Sequence, residues 1–487
     1  MYKLTLAEVQ HLLETHNLLQ KVPAPSPNVA QTFTHLSYDS RDVTPQTLFF
    51  CKGAKFHIRS LKEAEVAGVT TFLSEVDYPT HGTLLLVTDI QVAMAVIASH
   101  FYQQPQAQLK LIGITGTKGK TTTAYFVHSI LNHTFPQQVA LFSSEETCVN
   151  GRDFKSSTLT TPEALVLYQQ LAQAVESGLT HVVMEVSSQA YKTKRVFGLT
   201  FDIGIFLNIS PDHISPVEHA TFEEYFDCKK QLLYNSRSII FNQDSLLQDE
   251  DLPTVSRQSY GRTQGDFRVH SLENTRDFSI QSQEDQLTQH YGLSMLGEFN
   301  HENAAAAILA SQQLGATEAE IRTALLHAHV PGRMNLLEKH NGAFIFIDYA
   351  HNYLSISSLG KFAKKLRPHG RLIFVTGSVG GKALSRRADI GAALSEYADV
   401  IFLTSDDPDF EQPQAIANEI AATVKSSMIP CSFIEDRQSA VQQAIQLAHP
   451  EDTVLLIGKG TEQSMKVKGK QQPYLGDFDV ALPYTKQ

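Results

Sequence analysis

Cysteine is scarce in this sequence, with four residues among 487. They are scattered and form no Cys-x-x-Cys pair: Cys51, Cys148, Cys228 and Cys431. A disulfide framework and a thiolate zinc site are therefore not indicated. Long apolar runs are absent too, and residues 1–5 do not open an apolar signal segment. We expect a soluble, cytoplasmic protein with no membrane partner.

Clusters of basic residues are also missing. The chain has 40 Lys and Arg residues against 51 Asp and Glu residues, for a net charge of −11, and no basic run stands out. A protein that binds nucleic acid nonspecifically needs a concentrated positive surface. We therefore expect no nucleic-acid partner.

The length of the chain predicts about three domains. Apolar stretches with strand character alternate with helical patterns throughout, which predicts an α/β fold. Gln103–Gln106 has the character of a linker, and Pro331–Arg333 marks a second boundary. We predict a small N-terminal α/β domain (1–105), a central domain with a mostly parallel sheet (106–333) and a C-terminal domain (334–487).

A glycine loop is the strongest motif. The apolar run Leu109–Ile114 predicts a buried strand, and helical spacing follows residue 122. Between them, Gly116–Thr122 has the composition of a loop that binds phosphate through its backbone N–H groups, with Lys120 to neutralise charge and Thr121 to ligand Mg²⁺. The general phosphate-loop pattern requires glycine where Ile114 stands, so an ordinary strand-to-helix turn is the alternative.

Polar residues follow several predicted strands of the central region. Glu185 ends an apolar strand, and Asp212-His213 follows another. In parallel α/β sheets such strand ends form the ligand site, and a carboxylate there commonly holds Mg²⁺. The amphipathic helix predicted over 221–234 carries Lys229 and Lys230, which without further information would be solvated charges.

The C-terminal region predicts a doubly wound, Rossmann-like sheet. Four apolar strands each end in polar residues, in the segments 343–351, 372–378, 400–409 and 454–460. No Gly-x-Gly-x-x-Gly follows the first of these strands, which argues against a nicotinamide cofactor.

Together these motifs resemble the Mur ligase family of bacterial cell-wall synthesis. The family loop T-G-T-x-G-K-T-T matches Thr115–Thr122 and also lacks the first glycine. Further matches run through the chain in order: Asp39-Ser40-Arg41, Thr160-Thr161-Pro162, Glu185–Ser188, Asp212-His213, the lysine helix, Phe299-Asn300 with Asn303, Pro331–Arg333 and Asp348–His351. The run 208–233 is similar to the members that add L-lysine as the third residue of the peptide stem.

The resemblance implies an ATP-dependent ligase with domains for a UDP-sugar, for ATP and for an amino acid. ATP would phosphorylate the D-glutamate side-chain carboxylate of UDP-N-acetylmuramoyl-L-alanyl-D-glutamate, and the amine of the amino acid would displace the phosphate. The resemblance also implies which residues bind ATP: Gly116, Thr117, Lys118, Gly119, Lys120, Thr121, Thr122, Asn300, Asn303, Arg333, Asp348 and His351. Those implied for the UDP-muramoyl-dipeptide are Ser40, Thr160, Thr161, Ser187 and Arg195. We expect a monomer.

Four metal and catalytic assignments follow from the resemblance. Thr121 and Glu185 would hold one Mg²⁺, and His213 would ligand a second. Lys230 aligns with the lysine that is carbamylated in the family, and its carbamate would sit beside the metal. Lys229 is the alternative, although the register Lys-x-Leu-Leu-Tyr favours Lys230.

The choice of amino acid depends on the acidic loop, Asp406-Asp407-Pro408-Asp409. Diaminopimelate-adding members place arginine at the fourth position, whereas Asp409 would repel a distal carboxylate and favour an ammonium group. Arg387 would hold the α-carboxylate, and Glu462 belongs to a later motif in which Thr461 replaces histidine. We predict L-lysine, with ornithine or diaminopimelate as alternatives, and we predict that Asp409→Arg lowers the use of lysine.

Two other classes of protein compete with this interpretation. A folylpolyglutamate synthetase-like ligase shares the central domain, but it begins at the ATPase and has no counterpart of Asp39–Arg41. A nucleotide-gated binding protein would lack the metal and carbamate residues, which are present here. A GTPase would need Asn-Lys-x-Asp, which the sequence lacks.

Overall fold

The computed structural model describes residues 2–21, 31–53, 56–212, 214–215, 218–272, 276–381, 384–425 and 428–486. The chain forms two compact units. The first comprises residues 1–270, 278–291 and 302–326, and the second comprises residues 271–277, 292–301 and 327–487. No helix in the described ranges has the length and apolar character needed to cross a membrane.

The N-terminal part of the first unit comprises β1 (Leu4–Thr5), α1 (Leu6–Thr15), β2 (Leu19–Lys21), β3 (Thr32–Phe33), β4 (His35–Ser37), β5 (Thr47–Phe50), α2 (Ile58–Val66), β6 (Thr71–Ser74), β7 (Thr83–Val87) and α3 (Ile90–Phe101). Five of these strands form a sheet of order β2-β7-β6-β5-β4, in which all pairs except β2·β7 are parallel.

The larger sheet of the first unit has the order β11-β10-β9-β12-β8-β13-β14-β15-β16-β17-β18. Its elements are β8 (Lys110–Thr115), α4 (Lys120–Thr134), β9 (Val139–Phe142), β10 (Glu146–Cys148), β11 (Lys155–Ser156), α5 (Ala164–Glu176), β12 (His181–Glu185), α6 (Ser188–Lys192), β13 (Phe201–Phe206), α7 (Phe222–Tyr234), β14 (Ser236–Asn242), β15 (Ser256–Gly261), β16 (Phe267–Ser271), β17 (Asp277–Ser282), β18 (Thr288–Gly292), α8 (Phe299–Gln313) and α9 (Glu318–His327). Strands β9, β12, β8, β13, β14 and β15 are parallel neighbours, so their carboxyl ends meet at one edge.

One hydrophobic core joins the two sheets of the first unit. It combines Leu6 and Val9 of α1, Phe50 of β5, Leu167 of α5 and Met184 of β12. The predicted boundary near residue 105 lies at a 3-10 turn (Pro105–Gln108) inside this unit. The shared core ties the N-terminal sheet firmly to the strands that carry the glycine loop.

The second unit contains a sheet of order β19-β20-β24-β21-β22-β23, parallel except for β19. Its elements are β19 (Asn335–Glu338), β20 (Phe344–Asp348), α10 (Tyr353–Leu366), β21 (Leu372–Thr376), α11 (Ser385–Tyr397), β22 (Val400–Leu403), α12 (Pro413–Ala422), β23 (Cys431–Phe433), α13 (Arg437–Leu447), β24 (Thr453–Ile457), β25 (Ser464–Val467), β26 (Lys470–Pro473) and α14 (Asp477–Ala481). Apolar side chains pack on both faces of this sheet, which confirms the predicted Rossmann-like architecture.

A histidine buried in α4 makes stability depend on pH. Burial lowers the pKa of His128 from 6.5 to about 4, and its Nε2 has no hydrogen-bond partner among the described residues. The unfolded chain therefore takes up a proton at this histidine near pH 6.5, whereas the folded chain takes it up only near pH 4. The free energy of unfolding consequently falls by about 3 kcal/mol as the pH falls from 6.5 to 4. Stability contributed by neutral His128 is complete above pH 6.5.

We therefore expect His128→Gln to flatten the fall in unfolding free energy between pH 6.5 and 4. Denaturant titrations across this range measure the effect. His133→Gln is the matched control, because His133 lies exposed on the same helix. An unchanged acid slope for His128→Gln would contradict the prediction.

Candidate active site

The glycine loop connects β8 to the start of α4 at the carboxyl edge of the larger sheet. Gly119 has a φ of +86°, in the left-handed region. A Cβ added there would lie 2.3 Å from Oδ1 of Asn303. Glycine is required both by the backbone and by this close approach. The loop and helix α8 therefore meet at Gly119, which brings Asn303 to the predicted nucleotide site.

Asn208 holds the loop in shape from the end of β13. Its Oδ1 accepts a hydrogen bond from the Lys118 N–H at 2.9 Å, and its Nδ2 donates to the Lys118 carbonyl at 3.0 Å. The Asn208 carbonyl also accepts from the Thr117 N–H. The sequence placed Asn208 at a strand end without assigning it a role. Its position one residue past an apolar strand was the available signal.

The lysines of the loop lie among its own polar groups. Nζ of Lys120 donates to the carbonyls of Gly116 at 2.9 Å and Thr117 at 3.3 Å. Nζ of Lys118 lies 3.4 Å from the carboxylate of Asp212. Thr121 and Thr122 are buried in the first turn of α4. The structure thus gathers the predicted phosphate-binding residues at one helix N-terminus.

Helix α7 directs Lys229, and not Lys230, towards the loop. Nζ of Lys229 is buried and donates to the Gly116 carbonyl at 2.7 Å. Nζ of Lys230 instead pairs with Asp227 and Asp251, each at 2.9 Å. In the structure Lys229 contacts the loop and Lys230 does not, while the prediction that one of the two is carbamylated stays a prediction. Adjacent helical residues project about 100° apart, so only one of the two can face the sheet.

The burial of Lys229 could have been predicted from helical spacing, although the motif register Lys-x-Leu-Leu-Tyr favours Lys230. The buried residues of α7 are Tyr225, Lys229, Leu232 and Leu233, which follow the spacing of an apolar helix face. Burial lowers the pKa of Lys229 well below its usual value, and the neighbouring Lys120 lowers it further. Lys118 lowers this pKa as well, whereas the carboxylate of Asp212 acts in the opposite direction.

Glu185 is fully buried at the end of β12, beside the glycine-loop strand. It stands opposite Ile114 in the parallel register of β12 and β8. Its two carboxylate oxygens accept hydrogen bonds from Ser144, one from N–H at 2.8 Å and one from Oγ at 3.1 Å. Ser144, which the sequence reasoning missed, follows the apolar strand β9 and could have been found by the same strand-end rule.

Four of the five residues predicted to hold the UDP-muramoyl-dipeptide join the polar network at Glu185, and Ser40 lies elsewhere. Oγ1 of Thr161 donates to the Glu185 carbonyl at 2.9 Å and accepts from the Ser187 N–H at 3.0 Å. Oγ of Ser144 lies 3.1 Å from Oγ1 of Thr160, within hydrogen-bond distance. Nη1 of Arg195 donates to the Thr161 carbonyl at 3.0 Å. Residues far apart in the chain therefore share one polar network.

Glu163 links this network to the N-terminal part of the unit. Its carboxylate pairs with Arg195 at 3.0 Å and with Lys52, which follows β5. Ser40 lies in the turn after β4 and donates its hydroxyl to Glu63 at 2.9 Å. A cavity of about 230 Å³ next to this turn is lined by Tyr38, Asp39 and α5 residues, among others.

His213 lies outside the described residues, so its predicted role as a metal ligand stays a prediction. Within the described ranges, no group of three or more His, Cys, Asp and Glu side chains is placed to hold a metal ion. Glu185 and Thr121 are both buried, and their roles as Mg²⁺ ligands stay predictions.

In the second unit, Asp348 and Arg333 are held by β20 and its following loop. The Asp348 carboxylate accepts from the N–H groups of Met334 at 2.9 Å and Ala350 at 2.8 Å. The Arg333 guanidinium lies 4.6 Å from the ring centroid of Tyr349. Two further predicted ATP residues also lie in this unit: Nδ1 of His351 contacts the Tyr349 carbonyl at 2.6 Å, and Nδ2 of Asn300 donates to the Leu296 carbonyl at 2.8 Å.

Arg387 is buried in the first turn of α11 and already has two carboxylate partners. Nη2 contacts both oxygens of Glu411, at 3.0 and 2.9 Å, and Nη1 contacts Glu419 at 2.8 Å. The sequence predicted a substrate carboxylate here. A bound α-carboxylate would have to share or replace these contacts.

The acidic loop, residues 406–409, follows β22 at the carboxyl edge of the second unit's sheet. Burial raises the pKa of Asp406 to about 6, although Arg437 and Lys459 act in the opposite direction. The Asp407 carboxylate accepts from Nζ of Lys459 at 2.9 Å, and Lys459 also pairs with Glu462. Asp407 and Glu462 thus both pair with one buried ammonium group, that of Lys459, and Pro408 lies between Asp407 and Asp409 in the loop.

Comparison with known proteins places these features in one family. Residues 114–311 match the Mur ligase middle domain, and residues 332–460 match the Mur ligase glutamate ligase domain. The chain is 44% identical over 505 residues to the UDP-N-acetylmuramoyl-L-alanyl-D-glutamate--L-lysine ligase of Enterococcus faecalis, covering 99% of each chain. The enzyme of the same name from Streptococcus mutans is 44% identical over 466 residues, covering 94% of this chain and 93% of the relative.

A solved structure confirms the fold. The structure of a UDP-N-acetylmuramoyl-L-alanyl-D-glutamate--2,6-diaminopimelate ligase superimposes with a TM-score of 0.66 at 22% sequence identity, covering 99% of each chain. The glycine loop, the strand-end residues and the similarity over the whole length agree, and the chain belongs to the Mur ligase family.

Proposed function

We propose that the protein is an ATP-dependent ligase that adds L-lysine to the D-glutamate side-chain carboxylate of UDP-N-acetylmuramoyl-L-alanyl-D-glutamate. The observation that carries the proposal is the similarity over nearly the full length to ligases named for this reaction. The gathering of Lys120, Glu185 and Lys229 at one sheet edge supports it. The reaction belongs to peptidoglycan precursor synthesis in the cytoplasm.

Phosphoryl transfer in this site depends on positioning and charge. The loop N–H groups and the start of α4 would bind the phosphates of ATP, and Lys120 would move from its loop carbonyls to the transferred phosphate. An oxygen of the substrate carboxylate attacks the γ-phosphorus, and ADP leaves. The amine of lysine then attacks the acyl carbon, phosphate leaves, and the amine loses a proton.

The substrate carboxylate needs a polar site that excludes water. Thr160, Thr161 and Ser187 supply hydroxyl groups next to Glu185, and Arg195 supplies a guanidinium tethered by Thr161. We infer that these groups orient the muramoyl-dipeptide, while Ser40 and the turn after β4 bind the uridine. Orientation of this kind removes the entropy of bringing two reactants together.

Magnesium fits the donor set of the first unit. Glu185 and Thr121 offer the oxygen ligands that Mg²⁺ prefers, and a bound Mg²⁺ would neutralise phosphate charge. Glu185 is buried and accepts only from Ser144 among the described residues, so its carboxylate retains acceptor capacity.

Lys229 is the residue that we propose to be carbamylated. A neutral amine reacts with CO₂ to form an N–C bond and releases one proton, which leaves an anionic carbamate. Burial keeps the pKa of Lys229 low, so the reactive neutral form is available. Lys118 and Lys120 are among its charged neighbours, and they would stabilise an anion at this position.

The second unit would bind the amino acid. Asp406 and Glu462 supply carboxylates for the side-chain ammonium of lysine, and Arg387 would share its guanidinium with the α-carboxylate. The family resemblance also implies ATP contacts for Asn300, Asn303, Arg333, Asp348 and His351, and these contacts stay predictions. We expect the purified protein to be a monomer.

Phosphate release tests the proposed function directly. The protein is incubated with UDP-N-acetylmuramoyl-L-alanyl-D-glutamate, ATP and Mg²⁺, and with lysine, ornithine or diaminopimelate in turn. We expect release that depends on lysine, and much less with the other two. No release with any of the three would overturn the ligase proposal, and preference for another amino acid would overturn only the assignment of lysine.

A further inference from the structure

The hairpin β25–β26 is fastened to the acidic loop by side chains and backbone. The two oxygens of the Asp409 carboxylate accept from different hairpin groups: Nζ of Lys466 at 2.8 Å, and the N–H of Gly469 at 2.6 Å. The Asp409 N–H donates to the Lys466 carbonyl at 3.0 Å, and the Lys468 N–H donates to the Asp409 carbonyl at 2.7 Å. Asp407 adds a contact from its Oδ1 to the Lys466 N–H at 2.8 Å.

These contacts hold an unusual backbone. Asp407 and Asp409 have φ values of 47° and 52°, in the left-handed region that disfavours residues with a side chain. Aspartate tolerates this region better than most residues when its carboxylate binds nearby backbone groups. The hairpin supplies such groups to both aspartates, so the conformation of the acidic loop depends on the hairpin.

The partner of Asp409 is also informative for specificity. The sequence predicted that Asp409 attracts the side-chain ammonium of the substrate. In the structure, an ammonium group of the protein itself, that of Lys466, occupies this carboxylate. Asp406, by contrast, is buried and accepts no hydrogen bond from the described residues. The Asp406 carboxylate can therefore still accept hydrogen bonds from a substrate, whereas the Asp409 carboxylate already accepts them from the hairpin.

We propose that Asp409 and Lys466 form a clasp that positions the acidic loop, and that Asp409 does not bind the ammonium of the substrate. Lys466 is then a positioning residue for amino-acid binding. Asp406 is the carboxylate that meets the substrate, and Glu462 would have to share its carboxylate between Lys459 and the substrate. The inference rests on the proposed function, because it concerns the amino-acid site of that reaction.

The variant Lys466→Met distinguishes the two possible roles of Asp409, because they predict opposite changes in KM for lysine. If the pair is a clasp, its loss loosens the loop and raises KM for lysine about two- to fivefold with little change in kcat, the range expected for a partly exposed ion pair. If Asp409 binds the substrate, removing its internal competitor lowers KM. Asp409→Arg would not separate them, since it removes both the clasp and the attraction.

Three further variants complete the experiment. Lys466→Arg keeps the charge and is expected to retain the KM of the unaltered protein. Asp409→Asn is expected to match Lys466→Met, and the double variant should be no worse than either single one because both break the same pair. Lys470→Met is the control, since Lys470 is exposed on the same hairpin.

A lower or unchanged KM for Lys466→Met, or additive effects in the double variant, would overturn the clasp. Thermal unfolding of each variant shows whether it is folded, and Asp409→Asn provides the second measurement if Lys466→Met is not. Failure of the proposed function looks different: the unaltered protein itself would then release no phosphate with lysine.

Discussion

Lys229→Ala is expected to lower the rate of lysine-dependent phosphate release by about 10- to 100-fold, the scale seen when a group that orients a metal site is removed. The side chain is buried against the Gly116 carbonyl, so its loss removes one of the contacts between α7 and the glycine loop. If Lys229 carries a carbamate, the variant also lacks an anion beside the phosphates. Initial rates at saturating substrates measure the effect.

Lys230→Ala is the matched control for Lys229→Ala. Lys230 is the next residue of the same helix, but it pairs with Asp227 and Asp251 away from the loop. We expect it to retain most of the activity. The carbamate itself is tested by adding a small carboxylate such as acetate, which should partly restore Lys229→Ala and not alter Lys230→Ala. A Lys230→Ala variant that loses activity while Lys229→Ala retains it would reverse the assignment.

Asp406→Asn is expected to stabilise the protein and weaken lysine binding at the same time. Burial raises the pKa of Asp406 from 3.8 to about 6, so the folded chain binds a proton that the unfolded chain has already released. The resulting loss of stability begins as the pH rises above 4 and is complete above 6, where it amounts to about 3 kcal/mol. Asparagine is uncharged and avoids this cost.

The same substitution removes a charge that we propose to meet the ammonium of lysine. A charge-assisted hydrogen bond contributes about 1.5–3 kcal/mol, so KM for lysine should rise by roughly 10- to 100-fold. Unfolding free energies at pH 8 and pH 4 test the stability effect, which should appear only at the higher pH. Asp407→Asn is the comparison, since Asp407 is paired with Lys459. Unaltered KM for Asp406→Asn would remove this residue from the amino-acid site.

Opposite changes in stability and binding are common where a site holds a buried charge for its substrate. Asp406 would be such a residue, because two cations, Arg437 and Lys459, lie near it and yet its pKa remains high. Arg437 is itself held by a buried ion pair with Asp477 at 2.6 Å. The positive charge that could stabilise Asp406 is therefore partly used elsewhere.

Much of the fold could be predicted because it depends on local patterns. The apolar run before the glycine loop became β8, and the alanine-rich stretch after Asn300 became α8. The polar region 243–290 adds β15, β16 and β17 and part of β18 to one end of the larger sheet. These strands are hard to predict because a strand with one solvated face carries a weak apolar pattern.

The sequence predicted many residues of the candidate site but few of the contacts between them. Glu185, Thr160 and Ser187 were identified from motifs, and the structure unites them in one network. The sequence assigned no role to Ser144 and Asn208, because both residues hold other residues of the site in place and neither belongs to a recognised motif. Asp409 was assigned to the substrate because the sequence does not show that Lys466 lies beside it.

The α/β class, the phosphate loop, the strand-end chemistry and the family can be read from the sequence, since these depend on short-range order along the chain. Three contacts require the folded structure: Lys229 with the loop, Arg387 with Glu411 and Glu419, and Asp409 with Lys466. One cause accounts for all three. A charged side chain takes the partner that is nearest in space, and packing between distant segments determines which partner that is.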